Sequence, residues 1–159
     1  IAEVGGVATA AGCQLVASCD LAVASDAAQF CTPGVHIGLF CSTPMVALSR
    51  NLANKHAMEM LLTGDMVPAS RAAEMGLINQ IVPEADLAAA SLALAQKIAA
   101  KSNLTLATGK RAFYRQREMN LADAYIYSAE VMVENMLARD AEEGIAAFTE
   151  KRTPEWRDE

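Results

Sequence analysis

Apolar and polar positions alternate at the start of the chain and settle into helical spacing further on. Ile1 to Val4 alternates as a strand and runs into Gly5-Gly6, where residues without a Cβ permit a tight turn. Helix formers follow from about Ala10 to Ser18, and Asp20 to Ser25 reads as a second, buried strand. Together these predict a strand, turn, helix, strand unit. Pro33-Gly34 marks a turn. Cys41-Ser42-Thr43-Pro44 has the look of a helix start, with hydroxyls for the N-cap and a proline tolerated in the first turn, and the helix should run to about Leu52. A helix over about 55–63 should stop at Gly64 as a left-handed residue, and another from about Ala69 should stop at Gly76. Leu77 to Val82 alternates as a short strand before Pro83.

From Glu84 onward the spacing predicts helices over about 84–101, 103–117, 121–139 and 141–151, with Asn and Asp as punctuation. Leu87, Leu94 and Ile98 recur at helical intervals. The Ala-rich first helix and the third, with Met132 and Met136, read as packing surfaces. The expected division is therefore a mixed core over 1–83 and a helical region over 84–159. Ile1 to Val4 opens as a strand already in progress, with no initiator Met, and reads as the start of a piece lacking an N-terminal half.

Composition narrows the classes. With 159 residues, 53% hydrophobic and 20% charged, the chain is long enough to bury a core. A formal net charge of −6 argues against a general nucleic-acid binder, whose phosphate contacts need a basic surface. No run reaches the roughly 18 unbroken apolar residues of a spanning helix. Cys13, Cys19, Cys31 and Cys41 form no CxxC pair, and only His36 and His56 stand beside them, so no metal site is expected. Free thiols in a reducing compartment are the natural reading.

Several residues carry candidate chemistry. The run from Gly5 to Gly12 should lead from strand into helix, so that unpaired N–H groups and the helix dipole meet at one spot suited to an anion or a developing oxyanion. The same small residues would equally allow a helix to pack closely on a sheet. The imidazole of His36 suits proton transfer, provided an extended segment turns it to the same side as Gly34. Cys41, just ahead of a helix, is either a nucleophile or a small buried hydrophobe. Asp20 and Asp26 bracket a strand as caps or turn residues. Lys110, Arg111, Arg115 and Arg117 form a basic group that reads as a solvated helix face.

The long pattern adds to this. IAEVGGVATAAGCQLVASCDLAVASDAAQFCTPGVHIGL resembles the signature of the enoyl-CoA hydratase/isomerase (crotonase) superfamily. EMLLTGDMVPASRAAEMGLINQIVP is similar to the helix, turn, helix and strand that follow the active site in that family, and EEGIAAFTEKRTPEW resembles its C-terminal helix. The strings TAAGCQL and GLFCSTP are similar to those of a subgroup with altered catalytic positions. The resemblance implies an α/β fold of the ClpP/crotonase type, a spiral of strand-and-helix turns with a C-terminal helical trimerisation region, assembled as a homo-trimer or dimer of trimers.

It also implies site residues. The N–H of Ala11 would be one of two oxyanion-hole donors for a thioester carbonyl. Gln14 and Gly34 fall where hydratases carry their two catalytic glutamates. Neither an amide nor a glycine exchanges a proton, so ordinary hydratase activity is not expected. Gln14 would then orient a water or ligand, and Gly34 would enlarge the pocket. Phe148 and Lys151 fall where relatives contact adenine and its phosphates, an aromatic face stacking and an ammonium pairing. The implied ligand is an acyl-CoA, with coenzyme A part of the substrate and no resident cofactor, metal, nucleic acid or membrane. The implied activity is enolate-type thioester chemistry, such as double-bond isomerisation in fatty-acyl metabolism. Its rival is a catalytically silent acyl-CoA-binding or assembly protein. The expected location is the cytoplasm in a bacterium and the mitochondrion in a eukaryote.

Overall fold

Short apolar strands separated by glycines and polar turns cannot each bury a face alone, and here they pair through crossovers into two small sheets. The computed structural model describes residues 1–159. The chain forms two compact units, Ile1–Ala95 and Gln96–Glu159. The first contains β1 (Ala2–Val4), β2 (Val7–Thr9), α1 (Ala11–Ser18), β3 (Ala22–Ser25) and β4 (Gln29–Cys31), then a 3-10 helix (Pro33–Ile37). It continues through α2 (Ser42–Asn51), α3 (Asn54–Thr63), β5 (Val67–Pro68), α4 (Ala69–Met75), β6 (Gln80–Val82), a 3-10 turn (Glu84–Asp86) and the start of α5 (Leu87–Ala99).

One sheet has the order β1-β3-β6, all parallel, with Ala2 opposite Ala22 and Val23 opposite Gln80. Every residue of the central β3 is buried, as a parallel strand covered on both faces requires. The other sheet has the order β2-β4-β5, with β2 parallel and β5 antiparallel to β4 and with Ala8 opposite Phe30. Phe30, Leu48, Met60 and Leu61 are fully buried within one hydrophobic core cluster, and Val23 of β3 is fully buried outside it.

The expected strand, turn, helix, strand unit is present, but β2 and β4 complicate it. Three residues each, they are too short for their alternation to register against the surrounding small residues. The hydroxyls at 42 and 43 do not cap α2. Cys41 holds the N-cap place without a side-chain bond, and Ser42 Oγ donates back to the Phe40 carbonyl at 3.2 Å.

The second unit carries the end of α5, then α6 (Asn103–Gln116), α7 (Leu121–Met136) and α8 (Arg139–Glu150). Ser102 and Asn120 cap α6 and α7 by accepting from the N–H groups of Thr105 and Asp123, each at 3.1 Å. The residues after α8 are strapped down by polar groups. The buried Asp140 carboxylate accepts from the N–H groups of Arg157 (2.8 Å) and Asp158 (3.0 Å). Glu143 pairs with the Arg152 guanidinium and accepts from the Glu155 N–H at 2.8 Å. Trp156 donates to the Ala100 carbonyl at 3.0 Å and lies against Gly144.

These bonds favour the ionised acids. The Arg152 hydrogen bonds, followed by the Glu155 N–H, hold Glu143 down from 4.5 to about 2. The Arg157 N–H and then the Ser102 side chain lower Asp140. A depressed carboxylate contributes stability above its unfolded value and loses it as pH falls through its folded value. The tail should therefore be fastened above about pH 4.5 and come free toward about pH 2. Fluorescence of the single tryptophan, Trp156, should report this as an acid transition that moves to higher pH in Glu143→Gln. An unshifted transition in that variant would contradict the assignment.

Candidate functional site

The entry to α1 is set by one strained residue. β2 ends at Thr9, and Ala10 takes φ 47° and ψ −109°, a left-handed conformation that costs a residue with a Cβ on the order of 1–3 kcal/mol. Its N–H donates to the Cys31 carbonyl at 3.0 Å and its carbonyl accepts from the Gln14 N–H at 3.0 Å, so both sides of the kink are tied. Ala11 follows as the first helical residue, a position whose N–H has no intrahelical acceptor. The donor-rich turn expected over Gly5 to Gly12 is smaller than the sequence suggests, because β2 pairs with β4 within it.

Beside this helix start lies a cleft of about 560 Å³ whose walls include Ala10, Gly34, His36, Phe40, Cys41 and Pro44. No Asp, Glu, Lys or Arg lines it. His36 reaches it from a 3-10 helix, not from the extended segment the sequence reading required, so strand alternation does not apply. Its Nε2 lies 2.9 Å from the Thr63 carbonyl. A carbonyl only accepts, so in the neutral tautomer Nε2 carries the hydrogen and Nδ1 the lone pair. Gly64 makes this approach feasible: it sits at φ 69°, and a Cβ there would stand 3.0 Å from His36 Nε2.

Gly34 has the opposite effect from the one expected. A Cβ on it would meet the Leu39 carbonyl oxygen at 2.5 Å and Cys41 Sγ at 2.9 Å. The Leu39 N–H donates to the Gly34 carbonyl at 2.9 Å and draws that loop in. Glycine here does not enlarge a pocket; it lets backbone and thiol occupy the space of a side chain. Gln14 is half-buried on α1, one turn from Ala10, and is not part of the cleft wall.

Three thiols gather near this end. Cys31 Sγ donates to Thr9 Oγ1 at 3.2 Å. Burial, with Cys31 and Cys41 adding to it, pushes the Cys13 thiol up to about 12, so it stays protonated at neutral pH. Nothing in the structure groups three or more His, Cys, Asp or Glu side chains as a metal site. No helix is long and apolar enough to cross a membrane.

In the second unit, Phe148 is 85% exposed and lines an apolar groove with Met132, Met136, Ile145 and Trp156. Lys151 terminates α8 at φ 57° and is exposed. Arg115 lies over the Tyr127 ring at 4.6 Å and Arg117 over Phe113 at 5.7 Å. Arg111 and Arg115 also share a cleft with Glu130 and Glu134, so acids offset this basic helix. Sequence reasoning missed the Gly64 contact, the Thr63 carbonyl and the tail acids. All three depend on partners 9 to 28 positions away, which local patterns do not carry.

Comparison with known proteins places these residues in context. The family model described as enoyl-CoA hydratase/isomerase matches residues 1–159. The chain is 53% identical over 156 residues to enoyl-CoA hydratase domain-containing protein 3, mitochondrial, of Xenopus laevis, covering 98% of this chain and 53% of that protein. It is 51% identical to the Homo sapiens protein of the same name, covering 100% of this chain and 52% of that one. The chain thus spans about half the length of the curated relatives it matches. A crystal structure of an enoyl-CoA hydratase from Mycobacterium smegmatis aligns with TM-score 0.93 and 51% identity over 96% of this chain and 59% of that one. The crystal structure of human enoyl-CoA hydratase domain-containing protein 3 aligns with TM-score 0.91 and 52% identity over 95% and 60%.

Proposed function

The chain belongs to the enoyl-CoA hydratase/isomerase family and has its crotonase-like α/β fold, and from that premise we propose that it binds acyl-CoA thioesters and supports enolate-type chemistry, such as double-bond isomerisation, instead of hydration. The observation that carries this reading is the pairing of an open helix N-terminus at Ala11 with an adjoining cleft free of carboxylates. The Ala11 N–H would stabilise charge on the thioester oxygen. His36, held through Nε2, would move a proton at Cα through Nδ1. Phe148 and Lys151 would hold the adenine end in a homo-trimer or dimer of trimers, in fatty-acyl metabolism. The place of action would be the mitochondrion in a eukaryote, in line with the relatives' names, and the cytoplasm in a bacterium. A second reading, a silent acyl-CoA binder, is favoured by one observation: the loop that fills the space at Gly34 leaves no room for an acid there.

Exchange of the α-protons of butyryl-CoA in D2O, followed by NMR with the full-length protein, separates the two. The enolate reading expects catalysed exchange that falls by about 100-fold in His36→Gln while the thioester still binds. Binding without exchange would leave the silent binder, and exchange unaffected by His36→Gln would remove His36 from the mechanism.

A further inference from the structure

The cleft contains a second group able to exchange a proton, and it is a nucleophile. We propose that Cys41 captures α,β-unsaturated acyl thioesters by conjugate addition, making a covalent adduct inside the cleft. This deepens the acyl-thioester reading above and rests on it. Cys41 belongs to a cluster of three thiols, of which Cys13 and Cys31 are buried and Cys31 is bonded to Thr9. Cys41 is the member that is partly exposed and lines the cleft.

Its sulfur is placed by the loop closure at Gly34. It stands 2.9 Å from the point where a Cβ on residue 34 would lie, so it occupies volume that a side chain there would claim. Ala10, one residue before the free helix N–H, shares the same wall. Cys41 thus borders a cavity whose wall reaches Ala10, the residue before the Ala11 donor, and whose other walls include Ile37, Leu39 and Phe40. No carboxylate lines the cleft to activate a water. A polarisable thiol needs less help to attack a conjugated double bond.

The step balances without a further reactant. A bond forms between Cys41 Sγ and Cβ of the acyl chain, and the double-bond electron pair moves into a thioester enolate facing the Ala11 N–H. The thiol proton passes through His36 Nδ1 and ends on Cα. The net change adds S–H across the double bond, with no leaving group and no redox change.

The test uses the full-length protein with crotonyl-CoA as probe and butyryl-CoA as the saturated control, read by intact mass and peptide mapping. Expected are one added crotonyl-CoA per chain, located on Cys41, and no adduct with butyryl-CoA. Labelling should drop at least 10-fold in Cys41→Ser and persist in Cys19→Ser, which removes an exposed thiol outside the cleft. Mapping the wild-type adduct decides the matter even if Cys41→Ser folds poorly. If crotonyl-CoA binds in a titration yet Cys41 stays unmodified, or Cys19 takes the label, the proposal falls and the acyl-thioester reading stands. If neither thioester binds, both fall.

Discussion

Writing both carboxylates back into the site, as Gln14→Glu with Gly34→Glu, is expected to yield no hydratase and to cost roughly 1–3 kcal/mol of stability. The reason is steric before it is chemical. A Cβ at position 34 would stand 2.5 Å from a backbone oxygen, that of Leu39, which has no side-chain freedom with which to retreat. Either the glutamate distorts the loop through Cys41, or it is forced out of line with the cleft. Gln14→Glu alone should be tolerated, since position 14 is half-buried and makes no such contact. Urea unfolding and a crotonyl-CoA hydration assay check the two halves of the statement. A double variant that turned over at about 1 per second or faster, typical of enzymes, would show that the site needed only its acids.

Phe30→Ala should cost more, about 3–5 kcal/mol. Phe30 is the largest fully buried side chain and sits in the middle strand of the β2-β4-β5 sheet, opposite Ala8 on one side and Val67 on the other. Neither neighbour can expand into the space. The effect should reach the site, because the next residue, Cys31, supplies the carbonyl that holds the Ala10 N–H. Urea unfolding gives the loss directly, and a cost under about 1 kcal/mol would mean that the core is not centred there.

Local signals foretold most of the elements, and long-range ones did not. Gly64 and Gly76 both end helices in the left-handed conformation expected of them, at φ 69° and 84°. Of the Asn and Asp punctuation, Asn120 caps α7 through its side chain, while α6 is capped by Ser102, which the sequence reading did not single out. Helix ends drifted by a few residues, as with α7, which stops at Met136 and not near 139, because the last turn frays into isolated bonds at Leu137 and Ala138. β4 and β5 escaped notice because their meaning lies in pairing with each other and with β2. At the site, the structure puts Gly34 and His36 in the wall of one cleft, with Ala11 next to its wall residue Ala10, and leaves Gln14 outside that wall. What sequence reading could not supply was the direction of the Leu39 carbonyl, and that direction turns the glycine from a widened pocket into a filled one.

The central claim is that this site meets acyl thioesters without the machinery to hydrate them. Loss of enoyl-thioester absorbance on mixing the full-length protein with an excess of crotonyl-CoA tests it most directly. The account predicts a loss limited to about one equivalent per chain, with no sustained turnover. Continuous turnover on the order of 1 per second or more would contradict it.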